Sequence, residues 1–212
     1  MNFIIRGTII FELAGAIVMS PVFISSHGVA KGIWYSLFTS ISAFCNAGID
    51  IIGPSSLIEY NSNPLILINT MLLIVLGGLG YVVWFDVIQT FRTCRQKKLG
   101  FRSFLSRLHE HTRLVLSLTA ILIVSGTVIV LVGEFGNPDT IGTLSPGGKL
   151  LASLFQSVTF RTAGFATIPQ QSLKPFTCIA GLFYMFIGGS PAGTAGGVKT
   201  VTIAILALNA WA

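Results

Sequence analysis

The stretch SVTFRTAGFATIP, residues 157–169, decides how this chain is read. It stands between two long apolar runs, yet its centre is Arg161-Thr162-Ala163-Gly164-Phe165. A related stretch, SISAFCNAGIDII, occupies residues 40–52. Polar, glycine-bearing segments thus recur inside a very hydrophobic chain, and the composition says what surrounds them. Of 212 residues, 52% are hydrophobic and 9% charged, with a mean hydropathy of +0.81. A water-soluble domain carries about 25% charged residues. So little charge cannot cover a water-facing surface, and the solvent must be largely lipid.

Four long apolar segments lie at roughly 3–24, 64–91, 112–133 and 175–210. A membrane-spanning helix needs about 20 mainly apolar residues, and Leu114 to Gly133 supplies 20 without a charge. The N-terminal MNFIIRGTIIFELAGAIVM reads as a retained membrane helix. Glu12 interrupts its apolar core, and no small-x-small cleavage site follows. Two shorter apolar stretches, 31–44 and 148–160, precede the glycine motifs. At about 1.5 Å per residue the second reaches roughly 20 Å, short of a hydrocarbon core of about 30 Å. Both are expected to be re-entrant or interfacial helices.

The order long helix, short helix, polar glycine motif, long helix therefore occurs twice. Leu37-Phe38 with Ser40 aligns with Leu154-Phe155 with Ser157, and Asn46-Ala47-Gly48-Ile49 with Thr162-Ala163-Gly164-Phe165. Pro64 and Gly77-Gly78 align with Pro175 and Gly188-Gly189. The expected organisation is one repeat over 1–91, a linker over 92–113 and a second repeat over 114–212. The linker holds seven Lys/Arg and one acid. Positive charge beside membrane helices marks the cytoplasmic side, so the short helices and glycine motifs are expected to enter from outside. Nucleic-acid binding is not expected of so short and tethered a cluster.

Irregular backbone at membrane depth survives only where protein buries it or where it lines a watery cavity. Glycine permits conformations that aim carbonyl oxygens inward, and rings of carbonyls can replace the water shell of a cation. The negative C-terminal end of a short helix also favours cations. The two motifs are thus candidate ion sites. Arg161 is expected either to brace the segment from behind or to repel ions from within the pore. Three scattered cysteines, Cys45, Cys94 and Cys178, and three dispersed histidines suggest neither a disulfide framework nor a metal centre. No carboxylate pair or nucleophile–base set has catalytic spacing, so an enzyme is not expected. Glu12, Asp86 and Glu134 are expected to be buried partners or interfacial residues. Gly77-Gly78-Leu79-Gly80 is expected to permit close helix packing.

GGSPAGTAGGVKT, residues 188–200, is not a phosphate-binding loop, because Val198 occupies the position where glycine must precede lysine. Its glycines and Pro191 instead predict an unwound piece inside a membrane helix. Ser190 and Thr194 are available there to pair freed backbone groups. Lys199 is expected either to face the pore or to snorkel toward the inner surface.

On SISAFCNAGI (40–49), SVTFRTAGF (157–165) and MFIGGSPAGTAGGVKT (185–200), the chain resembles the Trk/Ktr/HKT superfamily of potassium transporters, over nearly its whole length. The resemblance implies an all-α membrane fold of M1–pore helix–filter loop–M2 repeats, four of which surround one pore. The chain would be the central two, the second and third, and its finish inside an apolar stretch is expected to be a truncation. By position, Gly48 and Gly164 would be two of four filter glycines, with Asn46-Ala47 and Thr162-Ala163 supplying carbonyls. Residues 189–197 would form an intramembrane gate beneath the filter. That gate would include Gly189, Ser190, Gly193, Thr194, Ala195, Gly196 and Gly197, with Lys199 just beyond. Further implications are potassium uptake, with sodium as the other ion, no cofactor, a homodimer and a cytosolic nucleotide-binding regulatory subunit. The location would be the cell membrane, in contact with its lipid. A secondary transporter of small solutes and a non-conducting scaffold remain as alternatives.

Overall fold

Glycine and proline punctuate an otherwise continuous run of apolar helix. A computed structural model describes residues 2–53 and 55–211. Helix α1 (Asn2–His27) contains Pro21, which cannot donate to the carbonyl one turn back. The Ser20 hydroxyl donates to that carbonyl, Ile17 O, at 2.9 Å, and the helix continues. Gly28, at φ 80 and ψ 168, turns the chain into α2 (Val29–Phe44), which folds back along α1. At this corner a Cβ on Gly32 would stand 2.5 Å from the Ile24 backbone.

After a 3-10 turn at Ile58–Tyr60, α3 (Pro64–Leu79) starts where the Asn63 side chain accepts from Leu65 N and Ile66 N. Proline is suited to the first helical position, where its missing N–H would have no helical partner. Next come α4 (Tyr81–Gln96), the short α5 (Phe101–Arg107) and the long α6 (Glu110–Glu134). Ser145, accepting from Gly148 N at 3.2 Å, and Pro146 open α7 (Pro146–Thr159). Then follow α8 (Pro175–Phe186) and α9 (Thr200–Trp211), separated by an unwound loop. The fold is all-α. Among the described residues the extended backbone pairing is a single bridge, Ile187 with Val198.

Phe3–His27 and Glu110–Glu134 are long and apolar enough to cross a membrane, and the α3–α4 pair adds a third span if taken together. Their outward faces are apolar: Ile17 is 70% exposed and Val132 71%. The core joins α1, α2, α3, α6 and α7 through Met19, Phe23, Phe44, Leu67, Val115 and Phe155. One contact recurs in both halves. Ser40 Oγ on α2 donates to Glu12 O on α1 at 2.6 Å, and Ser157 Oγ on α7 donates to Ile123 O on α6 at 2.8 Å. Gly15 and Gly126 make room for these hydroxyls: a Cβ on either would collide with the serine oxygen.

One boundary differs from the sequence reading. The apolar segment 64–91 is not one helix, because Gly80, at φ 80 and ψ 157, bends α3 from α4 by 98°. Within 92–113, α4 runs on to Gln96 and α6 begins at Glu110.

Candidate ion pathway

The short helices α2 and α7 deliver their C-terminal ends to the two glycine motifs, which adopt matching backbones. Asn46 and Thr162 have φ of 52 and 67, and Gly48 and Gly164 have φ of 63 and 88. A positive φ is unusual for a β-branched residue such as threonine and marks a tightly held segment. The carbonyl after each glycine is clasped by a hydroxyl from the last turn of its own short helix. Ser42 Oγ donates to Ile49 O at 2.6 Å and Thr159 Oγ1 to Phe165 O at 2.7 Å.

The motifs also meet each other. A Cβ on Gly48 would stand 2.5 Å from Ala163 O, and one on Gly164 would lie 2.9 Å from the Gly48 Cα and 3.7 Å from Ala47 O. Glycine is required at both positions by this approach as well as by φ. Beyond Gly164 lies a cavity of about 340 Å³, bordered by Thr162, Phe165 and Met185.

The unwound loop between α8 and α9 packs against both motifs. The Thr194 hydroxyl donates to Phe44 O at 2.8 Å and accepts from Asn46 Nδ2 at 2.7 Å. Gly196 N donates to Thr162 Oγ1 at 2.8 Å. Ser190 N donates to Gly78 O, and Thr194 N to Gly77 O, each at 3.0 Å. Those carbonyls belong to the last turn of α3, where a helix has no acceptor-side partners of its own. Trp84 Nε1, from beyond the bend, donates to Leu76 O at 2.9 Å. The 98° turn at Gly80 and the unwound loop therefore complete each other's hydrogen bonds. Gly77 serves close packing of α3 against the end of α2, where a Cβ would collide with Phe44 O. It also serves packing against this loop, where a Cβ would stand 2.7 Å from the Thr194 hydroxyl; a Cβ on Gly78 would meet only the Ala195 methyl, at 3.8 Å.

A model of the family described as TrkH, cation transport protein, matches residues 1–210. The chain belongs to this family. It is 36% identical over 210 residues to the potassium/sodium uptake protein NtpJ of Enterococcus hirae, covering 99% of this chain and 43% of that protein. It is also 36% identical over 199 residues to the Ktr system potassium uptake protein B of Bacillus subtilis, covering 94% and 42%. The crystal structure of the potassium transporter TrkH from Vibrio parahaemolyticus shares the fold, with TM-score 0.67 at 20% identity, over 92% of this chain and 38% of that one. The chain thus spans less than half the length of these relatives. The family is one of ion transporters rather than enzymes.

In this TrkH-family chain, Asn46, Ala47, Gly48, Thr162, Ala163 and Gly164 are all brought together. Gly189, Ser190, Gly193, Thr194, Ala195, Gly196 and Gly197 lie in the loop that touches them. Arg161 is buried, with Nη2 3.5 Å from Gly188 O, while its Nε has no partner among the described residues. Lys199 turns its Nζ to Ala195 O at 2.8 Å, a tie absent from the sequence reading. The Thr194 side chain pairs backbone, but that of Phe44; the buried Ser190 hydroxyl pairs none among the described residues.

The carboxylates hold structure together. Glu134, fully buried, accepts from Asn137 Nδ2, Thr140 Oγ1, Lys174 N and Thr177 Oγ1 at 2.5–2.9 Å. Asp86 accepts from His109 N at 3.0 Å and meets His109 Nδ1 at 2.6 Å, fixing the start of α6 to α4. Among the described residues no three His, Cys, Asp or Glu side chains gather as for a metal. Sequence reasoning missed Ser42, Thr159 and Trp84. The paired Ser40 and Ser157 were the signal that hydroxyls of both short helices have matched duties.

Proposed function

We propose that this chain forms two of four walls of a potassium-uptake pathway, as the second and third M1–pore helix–M2 repeats. Gly48 and Gly164 are two filter glycines, with the backbone of Asn46-Ala47 and Thr162-Ala163 offering carbonyls to a dehydrated cation. The 189–197 loop is the gate. The observation that carries this reading is the hydrogen bonding of one unwound loop to both glycine motifs, through Thr194 to Phe44 and Asn46 and through Gly196 to Thr162. An unwound chain at membrane depth needs either buried partners or a cavity; this one has partners on its upper side, where the proposed filter lies.

Arg161 braces the third-repeat filter from behind, since its guanidinium is buried toward Gly188 O. Conduction runs passively down the electrochemical gradient. Two further repeats complete the ring, and the 92–113 linker lies in the cytoplasm. A second copy and a cytosolic nucleotide-binding regulatory subunit are its partners by the family resemblance, and the relatives named as parts of a Ktr system support assembly with further components.

The test is rubidium uptake by potassium-transport-deficient cells expressing the complete reading frame that contains this segment. Gly164→Ser puts a Cβ within 2.9 Å of the Gly48 backbone at φ 88. It is expected to lower uptake or change its competition by sodium. Native uptake and sodium competition at normal membrane abundance would reduce Gly164 to a turn residue.

A further inference from the structure

We propose that α4 and α5 form an anionic-phospholipid site on the cytoplasmic leaflet; this rests on the orientation given above. The first reason is the bend. The 98° turn at Gly80 takes α4 off the axis of α3, and α4 carries Asp86, Arg92 and Arg95 where α3 carries no charge, which suits a helix lying at the membrane surface rather than one continuing the span. The second is the division of its faces. Val83, Trp84, Asp86, Thr90 and Cys94 are buried against the protein, whereas Tyr81, Phe85, Phe91, Arg92 and Arg95 are exposed. Helices that lie in the interface present aromatic and aliphatic residues to the acyl boundary and Lys or Arg to the headgroups.

The third reason is a groove of about 540 Å³ between α4 and α5. Phe91, Cys94, Leu99, Phe101 and Phe104 wall it, and Arg95 is its charged residue. Phe101 is 73% exposed and stacks on Phe104 with ring centroids 6.3 Å apart. Apolar walls beside a guanidinium match the glycerol–acyl region and phosphate of one lipid. A second groove of about 410 Å³, where the first turns of α4 meet α1, repeats the composition, with Phe3, Ile10, Phe11 and Trp84 as walls and Arg6 as its charge.

Charge selects the kind of lipid. Between Arg92 and Arg107 the chain has six Lys or Arg and no acid. All six are exposed, and none makes an ion pair among the described residues. The nearby Asp86 is already engaged by His109. Such a stretch at a membrane surface attracts anionic headgroups, each Lys or Arg contributing roughly a five-fold preference.

The experiment uses the complete protein with Phe101→Trp, reconstituted in vesicles. The probes are phosphatidylglycerol brominated in its acyl chains and, at the same mole fraction, brominated phosphatidylcholine. The signal is the emission that Phe101→Trp adds over the native protein. Brominated phosphatidylglycerol is expected to quench it more strongly. Adding Arg95→Gln, Lys97→Gln and Lys98→Gln should lower that preference by on the order of 100-fold. Phe91→Trp replaces Phe101→Trp if the latter does not accumulate.

Equal quenching by both lipids, or a preference that survives the three charge removals, overturns the proposal. So does no quenching by either, which would make the linker a protein-docking surface held off the membrane. Rubidium uptake is read in the same vesicles. Its absence with the lipid preference intact would defeat the transport reading and leave the lipid site standing.

Discussion

Replacing Thr194 by valine asks whether the loop is held closed from the filter side. The change keeps the branched shape and removes one oxygen. That oxygen donates to Phe44 O at 2.8 Å and accepts from Asn46 Nδ2 at 2.7 Å. A hydrogen bond contributes about 1 kcal/mol net, so losing both costs about 2 kcal/mol. Neither partner is stranded outright: Asn46 Nδ2 keeps Ile74 O at 3.3 Å and a long contact to Phe44 O at 3.4 Å. These residual contacts argue against a larger figure. About 2 kcal/mol is roughly a 30-fold change in the ratio of closed to open loop. Rubidium uptake at sub-saturating concentration is expected to rise, by at most roughly 30-fold, and less once opening no longer limits flux. Asn46→Ala removes one of the same bonds from the other side, so the two substitutions together should raise uptake by less than the product of their separate effects. Unchanged or slower uptake by Thr194→Val at equal membrane abundance would refute the reasoning, because the hydroxyl would then not oppose opening.

Gly80→Ala should lower the melting temperature of the detergent-solubilised protein more than Gly28→Ala. Both glycines occupy a backbone region that is essentially glycine-only, at a cost of about 1–3 kcal/mol to other residues. A Cβ on Gly80 would also stand 2.7 Å from the Ala192 backbone, whereas one on Gly28 meets nothing within 4 Å; equal losses would remove the bend-to-loop contact from the argument. Glu134→Gln turns an amide NH₂ toward two of the four donors now held by the carboxylate. It should cost about 2–4 kcal/mol, seen as a lower melting temperature, and an unchanged melting temperature would mean that the buried carboxylate is not the acceptor described.

The short helices were legible because 31–44 and 148–160 are bounded apolar stretches, and they fold as α2 and α7. The glycine motifs were legible because polar residues in so apolar a chain require a reason. The break at 187–199 was legible from Pro191 and its glycines. The bend at Gly80 was not. A Gly-Gly-Leu-Gly run suits close packing as well as a break, and what decides between them lies far away in the chain. Leu76 O has Trp84, but Gly77 O and Gly78 O find their donors in Thr194 and Ser190. Asn46 is a similar case. Its backbone role was inferred from its place before Gly48, while its side chain is engaged by a threonine 148 positions later. Local pattern reports helix length and turn chemistry; it does not report which distant amide completes a helix end.

That completion constrains how the proposed gate can move. Residues 190 and 194 supply backbone N–H groups to the end of α3, and backbone groups at membrane depth must remain paired. Each bare buried carbonyl would cost about 1–3 kcal/mol. If the loop leaves, Gly77 O and Gly78 O must therefore gain water or new donors. Water is available only if the loop's departure opens a wet cavity, which is what conduction requires. New donors are available only if the chain beyond Gly80 realigns with α3, and α4 carries the basic linker and its proposed lipid contacts. Either route joins the loop to the geometry of α4. A lipid or protein that holds α4 at its proposed place on the membrane surface would oppose realignment, leaving hydration as the way for the loop to open.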